Sequence, residues 1–112
     1  MSGITESTGP VRHAAIVAST AGNNTLVAAV TGKKIRVLAL SLVASGGANS
    51  IRFESDADGT ALSGVMDIAD NGQLVLAFNP CGHFETVAAE LLNLELSAAT
   101  AVGGMLTYQE VL

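Results

Sequence analysis

Aromatic and charged residues are both scarce in this chain of 112 residues. Aromatics make up 4% and tryptophan is absent, so a hydrophobic core has to be built from Leu, Val, Ile and Ala. Charged residues make up 13%, against about 25% in an ordinary soluble domain. A surface so poor in charge favours burial against neighbouring subunits, although abundant Ala, Gly, Ser and Thr would give the same numbers without any interface. The length fits one domain.

Disulfides, basic patches and membrane-spanning runs are also missing from the sequence. Cys81 is the only cysteine, which excludes an intramolecular disulfide. The net charge of −5 disfavours nucleic acid and anionic membranes as partners, because both attract basic patches. The one basic cluster, Lys33, Lys34 and Arg36, fits a solvated turn. The longest apolar run, Val37–Ala44, is far too short to span a membrane, and residues 1–10 lack the basic start and apolar run of a signal peptide.

Residues that could support catalysis or metal binding are few. His13 and His83 are the only histidines, and Cys81-Gly82-His83 is too local to place sulfur and imidazole for proton transfer. One cysteine and two histidines cannot complete a structural zinc site within one chain. We therefore predict no catalytic, metal or cofactor site and no small-molecule substrate. Asp56-Ala57-Asp58-Gly59 resembles part of a calcium loop, but the closing Glu position falls on Val65, so a β-turn is the better interpretation.

β-Strand patterns dominate from residue 11 onward. Short apolar or alternating segments are separated by turn residues about every ten positions, which predicts an all-β sandwich or barrel. Residues 1–10 have the composition of a flexible N-terminal arm, and residues 11–112 form the β domain. Asn71-Gly72 is typical of a β-hairpin turn. Residues 85–92 fit either a strand or two helical turns. Residues 99–104 are predicted to form a loop. The predicted strands are Arg12–Ser19, Thr25–Val30, Ile35–Ala44, Asn49–Ser55, Ala61–Ala69, Gln73–Phe78, Leu91–Ala98 and Met105–Val111.

The predicted strand Ile35–Ala44 is apolar at both its odd and its even positions. A strand with one solvent-exposed face would alternate with polar residues. One face can fill the sandwich core, so the other has to be covered by another segment or by another subunit. This strand is the strongest indication of oligomerisation that the residues give.

The order of motifs in the second half resembles a family of phage proteins. Phe78-Asn79-Pro80-Cys81-Gly82-His83-Phe84-Glu85-Thr86 is followed by Leu91-Leu92-Asn93-Leu94-Glu95-Leu96-Ser97 and then by Val102-Gly103-Gly104-Met105-Leu106-Thr107-Tyr108. Upstream, Gly32-Lys33-Lys34-Ile35-Arg36-Val37 and Ile51-Arg52-Phe53 add to the pattern. Together these segments resemble the capsid cement or decoration proteins of tailed bacteriophages.

The resemblance implies a single-domain, jelly-roll-like antiparallel β-sandwich of about eight strands with no catalytic residues. It also implies a homo-oligomer, with a homotrimer favoured, that is made in the host cytoplasm and binds the major capsid protein on the outside of the virion. The N-terminal arm would add contacts to a neighbour. The expected oligomer or capsid interface contains Leu38, Leu40, Leu42, Ile4 and Pro10.

Two other functions compete with the virion role. A receptor- or glycan-binding module of a head or tail fibre would use an exposed aromatic, and His83-Phe84 is the place to look, although aromatics are few. A small enzyme of the cupin type would need a cluster of histidines on inner strand faces, which this sequence lacks.

Overall fold

A computed structural model describes residues 9–112, which form two packed antiparallel β-sheets with no helix between those positions. The predicted arm lies almost entirely outside the described residues, and so does Ile4. Gly9 is placed beside the last strand, because its N–H donates to the Glu110 carbonyl at 3.0 Å. The strands are β1 (Arg12–Ala18), β2 (Gly22–Val27), β3 (Lys34–Ala44), β4 (Asn49–Ser55), β5 (Thr60–Ala61), β6 (Met66–Ile68), β7 (Gln73–Leu76), β8 (Phe84–Glu85), β9 (Leu92–Leu96) and β10 (Val102–Val111).

The strand order is that of a jelly roll. Sheet A has the order β1-β10-β3-β7, with β8 also paired to β3, and sheet B has the order β2-β9-β4-β5, with β6 also paired to β4. Because β5 and β6 share one edge of β4 while β7 and β8 share one edge of β3, the ten strands occupy eight positions. The first strand pairs with the last and the second with the last but one, as in double-sheet jelly rolls. The predicted all-β sandwich is confirmed.

A β-bulge in β3 explains why that strand is apolar at both parities. Thr107 pairs with Ala39 and Tyr108 pairs with Val37, so Leu38 is an extra residue in β3. The extra residue changes the parity of the strand, and side chains before and after the bulge therefore point into the same core. Ile35 and Val37 are fully buried, and the leucines at 38, 40 and 42 are at most 3% exposed.

The expected interface is corrected at these three leucines. Leu38, Leu40 and Leu42 are buried within the single chain, so none of them lies on its surface. Leu40 and Leu42 belong to the main hydrophobic core. The outward face of β3 is made instead by smaller side chains, which are described below. Pro10 is exposed.

Several strand boundaries differ from the predicted ones. The second strand begins three residues earlier than expected, at Gly22, and ends at Val27. The predicted loop over residues 99–104 is wrong in its second half, because β10 already begins at Val102 and includes both glycines. The helical alternative for residues 85–92 is wrong, since this segment holds the last residue of β8, a turn and the first residue of β9.

The turn at Asn71 does not form a hairpin. Gly72 N–H donates to the Ala69 carbonyl at 2.7 Å, and Asn71 has a φ of 62°, which fits the left-handed third position of a type II turn. The strands on either side, β6 and β7, lie in different sheets. The turn therefore carries the chain from sheet B to sheet A. The turn over residues 56–59 does join paired strands, β4 and β5, as expected.

Candidate interaction surface

The outward side of sheet A carries no Asp, Glu, Lys or Arg in its three central cross-strand rows. We call this surface the neutral face. The rows follow from strand register: each row crosses neighbouring strands at directly paired residues, whose side chains project to the same side. The first row is His13, Thr107 and Ala39, the second is Ala15, Met105, Ser41 and Val75, and the third is Val17, Gly103, Val43 and Gln73.

Three large apolar side chains of the neutral face are exposed to solvent. Val17 is 85% exposed, Val75 is 63% exposed and Met105 is 56% exposed. A shallow depression of about 240 Å³ lies between Met105 and Val75, with Ser41 and Ala39 in its lining. Four strands about 4.8 Å apart and three rows about 7 Å apart give the face an outline of about 400 Å². Apolar side chains in such an arrangement are typical of a surface that a second molecule covers.

The charges of sheet A are gathered at one end, beyond the three rows. Lys34 Nζ and Arg36 Nε lie 3.5 Å and 2.9 Å from the carboxylate of Glu85. Arg12 Nε lies 3.6 Å from the carboxylate of Glu110. These groups are partly solvated, so each pair contributes at most about 1 kcal/mol to stability. Within the basic cluster seen in the sequence, Lys34 and Arg36 thus share the single carboxylate of Glu85.

The outward side of sheet B has the opposite character. Glu54 and Asn93 project outward but are fully buried. The Asn93 amide donates to Glu54 Oε1 and to Asn23 Oδ1, each at 2.9 Å, and Arg52 forms an ion pair with Glu54. The N–H of Asp58 donates to Asn23 Oδ1 at 3.1 Å and ties the β4–β5 turn to this face. Sheet B thus covers part of its own outer side with a polar network, whereas the neutral face is open to solvent.

The two histidines considered for catalysis each have a hydrogen-bond partner within the chain. His13 Nδ1 lies 3.1 Å from Thr107 Oγ1, which is the neighbouring strand's residue in the same row. His83 Nε2 lies 2.7 Å from the Ala77 carbonyl oxygen, and Cys81 is exposed on the same loop. Across residues 9–112, no three His, Cys, Asp or Glu side chains are grouped closely enough to hold a metal ion.

Two aromatic residues, Phe84 and Phe78, do not lie where the sequence suggested. Phe84 is half-buried and packs on Phe53, with ring centroids 5.1 Å apart, so Phe84 is not an open platform for a sugar ring. The predicted strand Gln73–Phe78 would place Phe78 on the same face as Leu74 and Leu76, but Phe78 lies beyond the end of β7 and is 60% exposed. Since β7 ends two residues before Phe78, the ring does not join the core.

The chain matches no protein-family model and no curated protein sequence. The structure offers no helix with the length and apolar character needed to cross a bilayer anywhere in residues 9–112. What distinguishes the described part of the molecule is therefore its jelly-roll fold together with the contrast between a neutral face and a polar face.

Proposed function

We propose that this protein is a non-catalytic structural subunit of a tailed-phage virion, a cement or decoration protein that binds the outside of the assembled capsid. The observation that supports the proposal most directly is the neutral face. A rigid β body that keeps Val17, Val75 and Met105 on one open side is suited to cover an adjoining protein surface. The resemblance of the motif order from Phe78 to Tyr108 to phage cement proteins is our reason for proposing the capsid as that surface.

Binding to the shell would stabilise it by mass action. A subunit that binds the assembled lattice and not the free capsid protein favours the assembled state by its binding free energy. The outline of about 400 Å² is half of the roughly 800 Å² that each partner of a standard interface buries. A single neutral face would therefore bind weakly, and stable coverage would need contacts from neighbouring copies or from the N-terminal arm.

The proposal is tested by following the protein through purification of particles. An antibody against the chain is applied to density-gradient fractions of lysate from a culture that expresses it. We expect the protein to band with DNA-filled heads and to label their outer surface in immunogold micrographs. Recovery of the protein only at the top of the gradient would refute the virion role.

A matched pair of substitutions then tests the neutral face itself. Val17→Lys places a charge in the neutral face, whereas Val65→Lys places the same charge at a residue of similar type in the loop between β5 and β6, where Val65 is 64% exposed. Heads saturated with each variant are heated and the release of DNA is measured. We expect Val17→Lys to lose protection and Val65→Lys to keep it. Equal protection by both variants would exclude the neutral face as the contact.

A fibre module that binds a receptor or glycan is the second candidate, and the exposed Phe78 favours it. An aromatic ring with an open face beside a polar loop is a common way to hold a sugar, and His83 lies on the same loop. A glycan array probed with the wild-type protein and with Phe78→Ala separates the candidates. Binding that the substitution abolishes would support the fibre role, and no binding to any glycan would count against it.

A further inference from the structure

The outer edge of β1 lacks the features that normally protect an edge strand. Free edges present unpaired N–H and C=O groups, so proteins keep them short or interrupt them with bulges, prolines or charges. β1 is at the end of sheet A, and no strand within residues 9–112 pairs with its outer side. It is seven residues long and keeps an unbroken register with β10 from Arg12 to Ala18.

The other edges of the two sheets are protected. On the opposite side of sheet A, β7 and β8 have four and two residues and are separated by a loop that contains Pro80. The corresponding edge of sheet B is formed by β5 and β6, with two and three residues. The remaining edge strand, β2, has a register shift between Thr25 and Val27. Among the described residues, β1 is the exception.

The chemistry of β1 is also that of a strand that can pair. From His13 to Ala18 it contains no proline, no carboxylate and no lysine, and Val17 is 85% exposed. The only full charge is Arg12, at its first position. The chain as a whole carries a net charge of −5, so two copies repel each other unless they meet at a surface without carboxylates. β1 and the adjoining neutral face form such a surface.

We propose that β1 pairs antiparallel with β1 of a second copy, which gives an isologous dimer with one continuous sheet. Full overlap of the seven residues places Ala15 opposite Ala15 and Arg12 opposite Ala18, so the two guanidinium groups lie at opposite ends of the pair. The outward row at the centre then joins small side chains. Pairing brings two four-strand sheets side by side and doubles the neutral face to about 800 Å², the size of a standard interface on each partner.

This inference depends on the fold and on β1, not on the proposed virion role. It differs from the homotrimer that the motif resemblance implies, because a twofold contact uses the same patch on both subunits and does not close a ring of three. The full chain purified without particles is sufficient to test it, so its failure leaves the particle experiment unaffected.

The first experiment is sedimentation equilibrium of the wild-type chain and of two lysine variants. We expect a dimer for the wild type. Ala15→Lys places two ammonium groups against each other at the twofold axis, and we expect the dimer dissociation constant to rise at least about tenfold. Val65→Lys, the control in the loop between β5 and β6, should stay dimeric. Circular dichroism shows whether Ala15→Lys is folded. If it is misfolded, Val17→Lys is used in its place, because the side chain at position 17 is exposed to solvent.

The second experiment traps the pairing directly. In a Cys81→Ser background, a cysteine is introduced by Ala15→Cys or, as control, by Val65→Cys. Directly opposed antiparallel residues have Cα atoms about 4.5–5.5 Å apart, within the range that a disulfide bridges. We expect mild oxidation to link Ala15→Cys into covalent dimers at least about tenfold faster than Val65→Cys. A monomer at the highest soluble concentration, a trimer, or equal rates of cross-linking would overturn the proposal.

Discussion

Gly104 lies where a single added methyl group should be costly, because the backbone of the neighbouring strand occupies the space. It lies in β10, which pairs with β3 at the centre of sheet A. A Cβ added at Gly104 would be 1.9 Å from the Ser41 carbonyl oxygen and 2.7 Å from Leu42 Cα. A carbon needs about 3.3 Å or more from a carbonyl oxygen, so the two strands would have to separate by about 1.4 Å. The atoms in the way are backbone, which cannot rotate aside.

The neighbouring glycine provides the control. A Cβ added at Gly103 meets only the Ile16 carbonyl oxygen, at 3.8 Å, which is an ordinary contact. Overpacking costs about 1–3 kcal/mol, whereas replacing an unstrained glycine by alanine gains about 0.5–1 kcal/mol. We therefore expect Gly104→Ala to lower the free energy of unfolding by about 2 kcal/mol and Gly103→Ala to leave it unchanged or raise it.

Thermal and urea unfolding followed by circular dichroism measure both variants. For a domain of this size, a loss of about 2 kcal/mol corresponds to a fall of about 10 °C in melting temperature. The difference between the two variants is the quantity of interest, since both change glycine to alanine in the same strand. If Gly104→Ala and Gly103→Ala unfolded at the same urea concentration, the close approach of β10 to β3 would be wrong.

Three further substitutions probe other parts of the molecule. Asn93→Ala removes the amide that satisfies a buried carboxylate, and urea unfolding should show a loss of about 2–3 kcal/mol; a loss below about 0.5 kcal/mol would contradict the buried network. Ala89 has a φ of 65°, so Ala89→Gly should raise the free energy of unfolding by about 1 kcal/mol. Ala88→Gly, at an ordinary φ, is the control and should lower the free energy of unfolding in the same assay. Phe53→Ala should lose about 3–5 kcal/mol because the ring is fully buried, whereas Phe78→Ala should change the melting temperature little; similar losses would show that Phe78 is packed.

The strands of this fold could be predicted from the sequence where one face is polar. Asn49–Ser55 was located to the residue, because Ile51 and Phe53 alternate with Arg52 and Glu54. The Leu92–Leu96 strand was found in the same way within one or two residues. Alternation of apolar and polar residues with a period of two indicates that one face of a strand is buried. It therefore predicts strands correctly wherever only one side of the strand lies in the core.

The neutral face could not be located from the sequence because of the bulge at Leu38. A period-two pattern assumes that odd-numbered and even-numbered side chains keep to opposite faces along the whole strand. One extra residue exchanges the two faces from that point onward. The alternation of β3 therefore assigned Leu38, Leu40 and Leu42 to the wrong side. The outward residues Ala39, Ser41 and Val43 attract no attention in a sequence, because small uncharged side chains are common on any surface.

Strand pairing and close backbone approaches were also beyond the sequence patterns. Gly103-Gly104 reads as a loop, since glycine weakens strands. In the structure, the absence of a side chain at Gly104 is what lets β10 lie so close to β3. The need for glycine at this position depends on Ser41, which is 63 residues away in the chain, and no local pattern contains that information.

The two outer faces of the sandwich differ in charge, so the molecule is polar across its thickness. A layer of copies laid with the valine-bearing side down would present Asp56, Asp58 and Asp67 to the surrounding water. Particles coated in this way would have a negatively charged outer surface and would repel one another at low ionic strength. If the neutral face attaches to a partner as proposed, the same distribution of side chains would thus keep finished assemblies dispersed.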